Sequence, residues 1–109
     1  MGFSHTNDMK AFAAEKLTKV GLFETDQMFC DLYCLEPGQS QKVHSHRGAT
    51  KFYFVLEGKA SLTIGSETRE LGEGDLAWSA PDEEHGLDNR SAERTVLLVA
   101  MAPNPNLSQ

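Results

Sequence analysis

The sequence predicts an all-β domain, a small antiparallel barrel or sandwich, and three observations carry that expectation. Short β-rich runs follow one another from Val20 to Met101, turn residues separate them at near-regular spacing, and no helix of crossover length stands between them. The turns are Glu36-Pro37-Gly38, Glu57-Gly58-Lys59, Gly65-Ser66-Glu67, Gly72-Glu73-Gly74 and Pro81-Asp82-Glu83. Their Gly, Pro and Asp supply the backbone conformations that reverse a chain. With 109 residues the chain is one domain, able to bury roughly 65% of the surface its unfolded form exposes. The expected organisation is an N-terminal arm over 1–19, a barrel over 20–102 and a tail over 103–109.

In the arm, Asp8 to Lys16 is the one helical window, with Asp8 as cap and Ala11, Ala13 and Ala14 as helix formers. Strands are then expected at Val20 to Thr25, Gln27 to Leu35, Gln41 to His46, Lys51 to Glu57, Ala60 to Ile64, Thr68 to Leu71, Asp75 to Ser79, His85 to Asn89 and Arg94 to Met101. Continuous apolar sequence from Val96 to Met101 reads as a strand covered on both faces, by the arm or by a second subunit. The polar, turn-rich tail from Pro103 is expected to fray.

Composition narrows the partners. Ten basic against sixteen acidic side chains give a net charge of -6, so phosphate backbones and anionic lipid surfaces are repelled on average. Neither nucleic acid nor a membrane is expected. Asn7 and Asp8 fall where a secretory signal needs an apolar run, which points to the cytoplasm. Cys30 and Cys34 share one strand face about 13 Å apart at ~3.3 Å per residue. A disulfide needs α-carbons within about 7 Å, so both are expected as buried thiols rather than redox or metal groups.

His44 and His46 alternate along a strand and so point the same way, about 7 Å apart at the α-carbons. Alone the pair says little, because four histidines produce a chance His-x-His about one time in ten. The punctuation around it says more. Gly38 stands six residues before His44, Gly58 twelve after His46, and Gly74, His85 and Asn89 follow in order. Gly38, His44, His46, Gly58, Gly74, His85 and Asn89 together resemble the two-part signature of the cupins, with the fifteen residues between Gly58 and Gly74 matching its smallest members.

That resemblance covers nearly the whole chain and implies a double-stranded β-helix, the cupin jelly roll, with the short helix in front. It also implies that His44, His46 and His85 hold a divalent transition metal, zinc, iron, manganese or nickel, inside a barrel that forms a homodimer. Lys51 stands where the family usually has a glutamate as fourth ligand. An ammonium about 5 Å from a dication is repelled by ~7 kcal/mol at an effective dielectric of 20. Four escapes are open: a deprotonated amine, a side chain turned away, a bridging anion, or no metal. Three-histidine cupins without the glutamate, of the cysteine dioxygenase type, keep the metal reading open. Ala80 and Asp82 also replace the usual proline and glycine before His85. Asp82, Glu83 and Glu84 receive no role beyond a solvated acidic turn.

Strand parity puts Lys51, Tyr53 and Val55 on the cavity side, and Phe52, Phe54 and Leu56 on an outer row that wants cover. Lys51 and Tyr53 become candidates for gripping an anionic small molecule, against a reading as snorkelling lysine and plain core. Trp78 is expected to serve packing, and His5 to be inert. Three functional readings follow: a metal-dependent enzyme on a small molecule, a non-catalytic module holding a small anionic ligand through Lys51 and the histidines, or a structural barrel with vestigial histidines.

Overall fold

The computed structural model describes residues 2–45 and 47–106. Among them, the arm holds one helical turn, α1 (Thr6–Met9), capped by His5, whose Nδ1 accepts from the amide of Asn7 at 3.1 Å. The helix expected over Asp8 to Lys16 is thus a correction: the chain is already extended at Lys10, with ψ 136°. A window of nine residues is too short to nucleate a helix unaided. Met9, at the end of α1, and Phe12, in the extended stretch after it, rest on a cluster of Leu32, Cys34 and Val96. Lys10 pairs with Glu57 at 2.6 Å, and Arg94 lies over the Phe12 ring at 4.4 Å.

The strands are β1 (Thr18–Glu24), β2 (Phe29–Leu35), β3 (Ser40–His44), β4 (Thr50–Glu57), β5 (Ala60–Ile64), β6 (Glu67–Leu71), β7 (Leu76–Ser79), β8 (His85–Asp88) and β9 (Thr95–Ala102). They form two antiparallel sheets, ordered β1-β2-β9-β4-β7 and β3-β8-β5-β6. β9 lies between β2 and β4 and is buried at six of its eight positions, as its unbroken apolar sequence requires. Between the sheets, Tyr33, Leu35, Tyr53, Val55, Leu62, Leu87, Leu97 and Val99 make the main core. The second cluster, under the arm, sits on the outer side of the five-stranded sheet. Cys30 and Cys34 are buried free thiols, and burial raises both thiol pKa values.

The tail is the second correction. Asn104 is buried and donates from Nδ2 to Glu24 Oε2 at 2.7 Å and to the carbonyl of Thr25 at 2.9 Å. One amide that satisfies two acceptors outweighs the tail's polar composition.

Candidate functional site

His44 ends β3, His85 begins β8, and the two are cross-strand partners. Their rings lie 4.5 Å apart at the centroids, inclined at 66°. His85 is buried at 1% exposure and turned inward, toward Tyr53 at 6.2 Å between rings. The Nδ1 atom of His44 lies 2.7 Å from the carbonyl of Lys42, and that of His85 lies 3.1 Å from the carbonyl of Glu83 and 3.1 Å from Ser79 Oγ. A carbonyl only accepts, so each Nδ1 carries a proton and Nε2 is the nitrogen of each ring that a metal would take. That arrangement suits a metal-ligating imidazole, whose other nitrogen is held by an outer hydrogen bond. His46, the third expected ligand, lies outside the described residues. Among the described residues no group of three His, Cys, Asp or Glu side chains is assembled.

The pairing of β3 with β8 is irregular between Gln41 and His44. The bulge turns both side chains toward the interior, three residues apart, where strict alternation allows only one of them. Val43, between them, is 49% exposed. Gly86 makes this approach possible: a β-carbon there would stand 2.9 Å from the Val43 backbone and 3.0 Å from the Gln41 carbonyl.

Facing the histidines is a wall from the five-stranded sheet. Lys51, Tyr53 and Val55 all point inward and are buried. Lys51 Nζ donates to Tyr33 Oη at 3.3 Å and to Gln41 Oε1 at 3.5 Å, and Tyr53 Oη donates to Gln41 Oε1 at 3.0 Å. The ammonium also lies 5.0 Å from the Tyr53 ring centroid and 5.4 Å from that of Tyr33. Burial lowers the Lys51 pKa to about 7, helped by Lys19 and opposed by Asp31. Burial likewise pushes the Tyr33 hydroxyl up to about 12 and raises that of Tyr53. A cavity of about 320 Å³ opens beside His44 and Lys51, lined also by Lys19, Asp31, Tyr33 and Gln41, while His85, Tyr53 and Val55 lie behind its lining.

Lys19, Asp31, Tyr33 and Gln41 were not among the expected site residues. Tyr33 and Asp31 follow from parity, since they alternate with Cys30, Leu32 and Cys34 along β2. Gln41 has no such signal, because only the bulge brings it inward. In the loop before His85, Asp82 takes φ 70° where the family has glycine, and its Oδ1 accepts from the amide of Gly48 at 3.2 Å. Aspartate tolerates the left-handed region better than most side chains. Trp78 is a third correction: it is 61% exposed on the edge strand β7, so it is not core packing.

Residues 31–101 match the family described as the cupin domain. An uncharacterized protein of Streptomyces coelicolor is 32% identical over 70% of this chain and 71% of its own length. The crystal structure of TT1209 from Thermus thermophilus superimposes with a TM-score of 0.93 at 38% identity, covering 96% of this chain and all of that one. An RmlC-like cupin protein from Desulfovibrio desulfuricans shares the fold at a TM-score of 0.84 and 20% identity, over 95% of this chain and 98% of its own. With two facing jelly-roll sheets, the signature glycines and histidines in its sequence and a family match across most of its strands, this chain belongs to the cupin family.

Proposed function

We propose that this protein is a metal-dependent cupin enzyme acting on a small anionic molecule, with His44, His46 and His85 holding a divalent transition metal. The observation that carries the reading is the pair of adjacent cross-strand rings, each with Nδ1 committed to a backbone carbonyl. Neutral imidazoles suit zinc, iron, manganese or nickel. When bound, the ion supplies Lewis acidity that polarises an oxygen of the small molecule. Lys51 orients that molecule from the facing wall, and Tyr53, fully buried, steadies Gln41 beside it. A lysine pKa of about 7 answers the charge objection, because the amine sheds its proton at little cost when a cation arrives. The same reading places the protein in a reducing cytoplasm as a homodimer.

Elemental analysis of tag-free protein tests it. The expected result is near one transition metal per chain in the wild type, with most of it lost in His85→Ala. Metal-free wild type after exposure to each of the four ions overturns the reading.

The burial of Lys51 with Tyr33 and Gln41 favours a second reading, a non-catalytic module for a small anion. Here Lys51→Glu abolishes the binding of small carboxylates, measured by calorimetry on metal-stripped protein. Unchanged affinity in that variant excludes it.

A further inference from the structure

The wall facing the histidines holds a primary amine in an uncommon setting. Lys51 lines the cavity beside His44, and its amine donates to two neutral atoms, Tyr33 Oη and Gln41 Oε1. A second cation, Lys19, lines the same cavity, and the two amine nitrogens lie 5.3 and 5.4 Å from the centroid of one ring, that of Tyr33. Desolvation and a neighbouring cation are the two means by which a lysine becomes a nucleophile. Both act on Lys51, whose pKa of about 7 leaves roughly half of it as free amine at neutral pH, against about one part in a thousand for an ordinary lysine. Tyr33 Oη accepts from Lys51 and, at 3.4 Å, from Gln41 Nε2, so its own hydrogen is available to donate. Asp31 lines the cavity too, and its charge reaches Lys51.

We propose that Lys51 is a covalent binding site for a small oxo acid, its amine condensing with the ketone or aldehyde carbonyl while Lys19 holds the carboxylate. The metal reading gives Lys51 an orienting part alone, and the covalent bond is additional to it. In the first step the nitrogen bonds to the carbonyl carbon, and one of its protons reaches the carbonyl oxygen by way of the Tyr33 hydroxyl. The new hydroxyl then leaves with the second nitrogen proton as water, and a C=N bond remains. A proton taken up from solvent makes this imine cationic, and the Asp31 carboxylate offsets the charge. The charges in the cavity select the class. Lys19 and Asp31 together complement a molecule that brings a carboxylate at one end and becomes a cation at the other. A volume of about 320 Å³ lies at the small end of ligand pockets, which limits the occupant to a short carbon chain.

Cyanoborohydride trapping tests the site, with wild type, Lys51→Met and Lys19→Met each incubated with pyruvate, levulinate or acetone and the adducts located by peptide mass mapping. The expected result in the wild type is a reduced adduct of an oxo acid on Lys51, formed at least about 100-fold faster at neutral pH than on the exposed Lys42 and Lys59. Lys51→Met carries no adduct at that position. Acetone, which has the carbonyl without the carboxylate, is captured about 10-fold less well than the better oxo acid, and Lys19→Met removes that preference. Labelling of Lys51 no faster than that of Lys42 overturns the covalent site, and this comparison within the wild type depends on no variant folding. Equal capture of acetone and both oxo acids overturns the oxo-acid class. Trapping requires no metal, so an unlabelled wild type overturns the covalent site while elemental analysis decides the metal reading separately.

Discussion

Lys51 is a long cationic side chain at 2% exposure whose amine meets two neutral partners, Tyr33 Oη and Gln41 Oε1. Neutral partners compensate a buried charge poorly, so desolvation dominates and the pKa falls from 10.5 to about 7. The sign of the linkage follows. Between about pH 7 and 10.5 the unfolded chain binds a proton at this lysine that the native state does not, so stability rises with pH across that window. Below it both states are protonated and the full cost remains, on the order of 5 kcal/mol. Lys51→Met therefore stabilises the metal-free protein, most strongly near or below about pH 7, and flattens the rise of stability toward alkaline pH. Urea midpoints across that range measure it; an unchanged slope in the variant contradicts the assignment. Residues of this kind, placed where the fold's chemistry needs them at the expense of stability, mark functional sites.

At the scale of elements, the β3–β8 ladder is where the site is assembled, and Gly86 is its narrowest point. Gly86→Ala places a methyl against the backbone of Val43 and Gln41, and backbone cannot rotate away as a side chain does. We expect a loss of about 2 kcal/mol, read as a lower thermal midpoint, together with weaker metal binding as His44 moves off its partner. Metal affinity equal to wild type would mean that the bulge does not position the ring. Most of this architecture is legible in sequence: each of the nine expected strands lies within two residues of its place among the described residues, because alternating burial and glycine turns are local signals. Parity also places Lys51, Tyr53 and Val55 inward. What escapes is non-local. The bulge depends on a glycine forty-five positions downstream of Gln41, and Trp78 is exposed because β7 is an edge. The arm lies extended because the cluster under it rewards cover more than a short helix rewards hydrogen bonds.

For the whole molecule, the five-stranded sheet is a layer with two apolar sides, one facing the barrel interior and one facing outward. A jelly roll needs only the first, so the second has to be covered by something outside the barrel. The arm supplies that cover over Leu32, Cys34 and Val96, with Gln39 Nε2 holding the carbonyl of Ala13 at 2.8 Å and the Lys10–Glu57 pair pinning its middle. Met9 and Phe12 are each only half-buried, so at 1.5–3 kcal/mol for a fully covered large side chain their joint contribution is about 1.5–3 kcal/mol. That is a sizeable share of a small domain's net stability. Cys34 reports on it directly, since the thiol has no exposure while the arm is down. Removing residues 2–13 is expected to lower stability by about that amount and to turn Cys34 from a thiol that reacts only on unfolding into one titrated by an aromatic disulfide reagent under native conditions. The Cys30→Ala background isolates its signal. Slow, unfolding-limited labelling in the shortened protein would show that the sheet itself, and not the arm, shields the cluster.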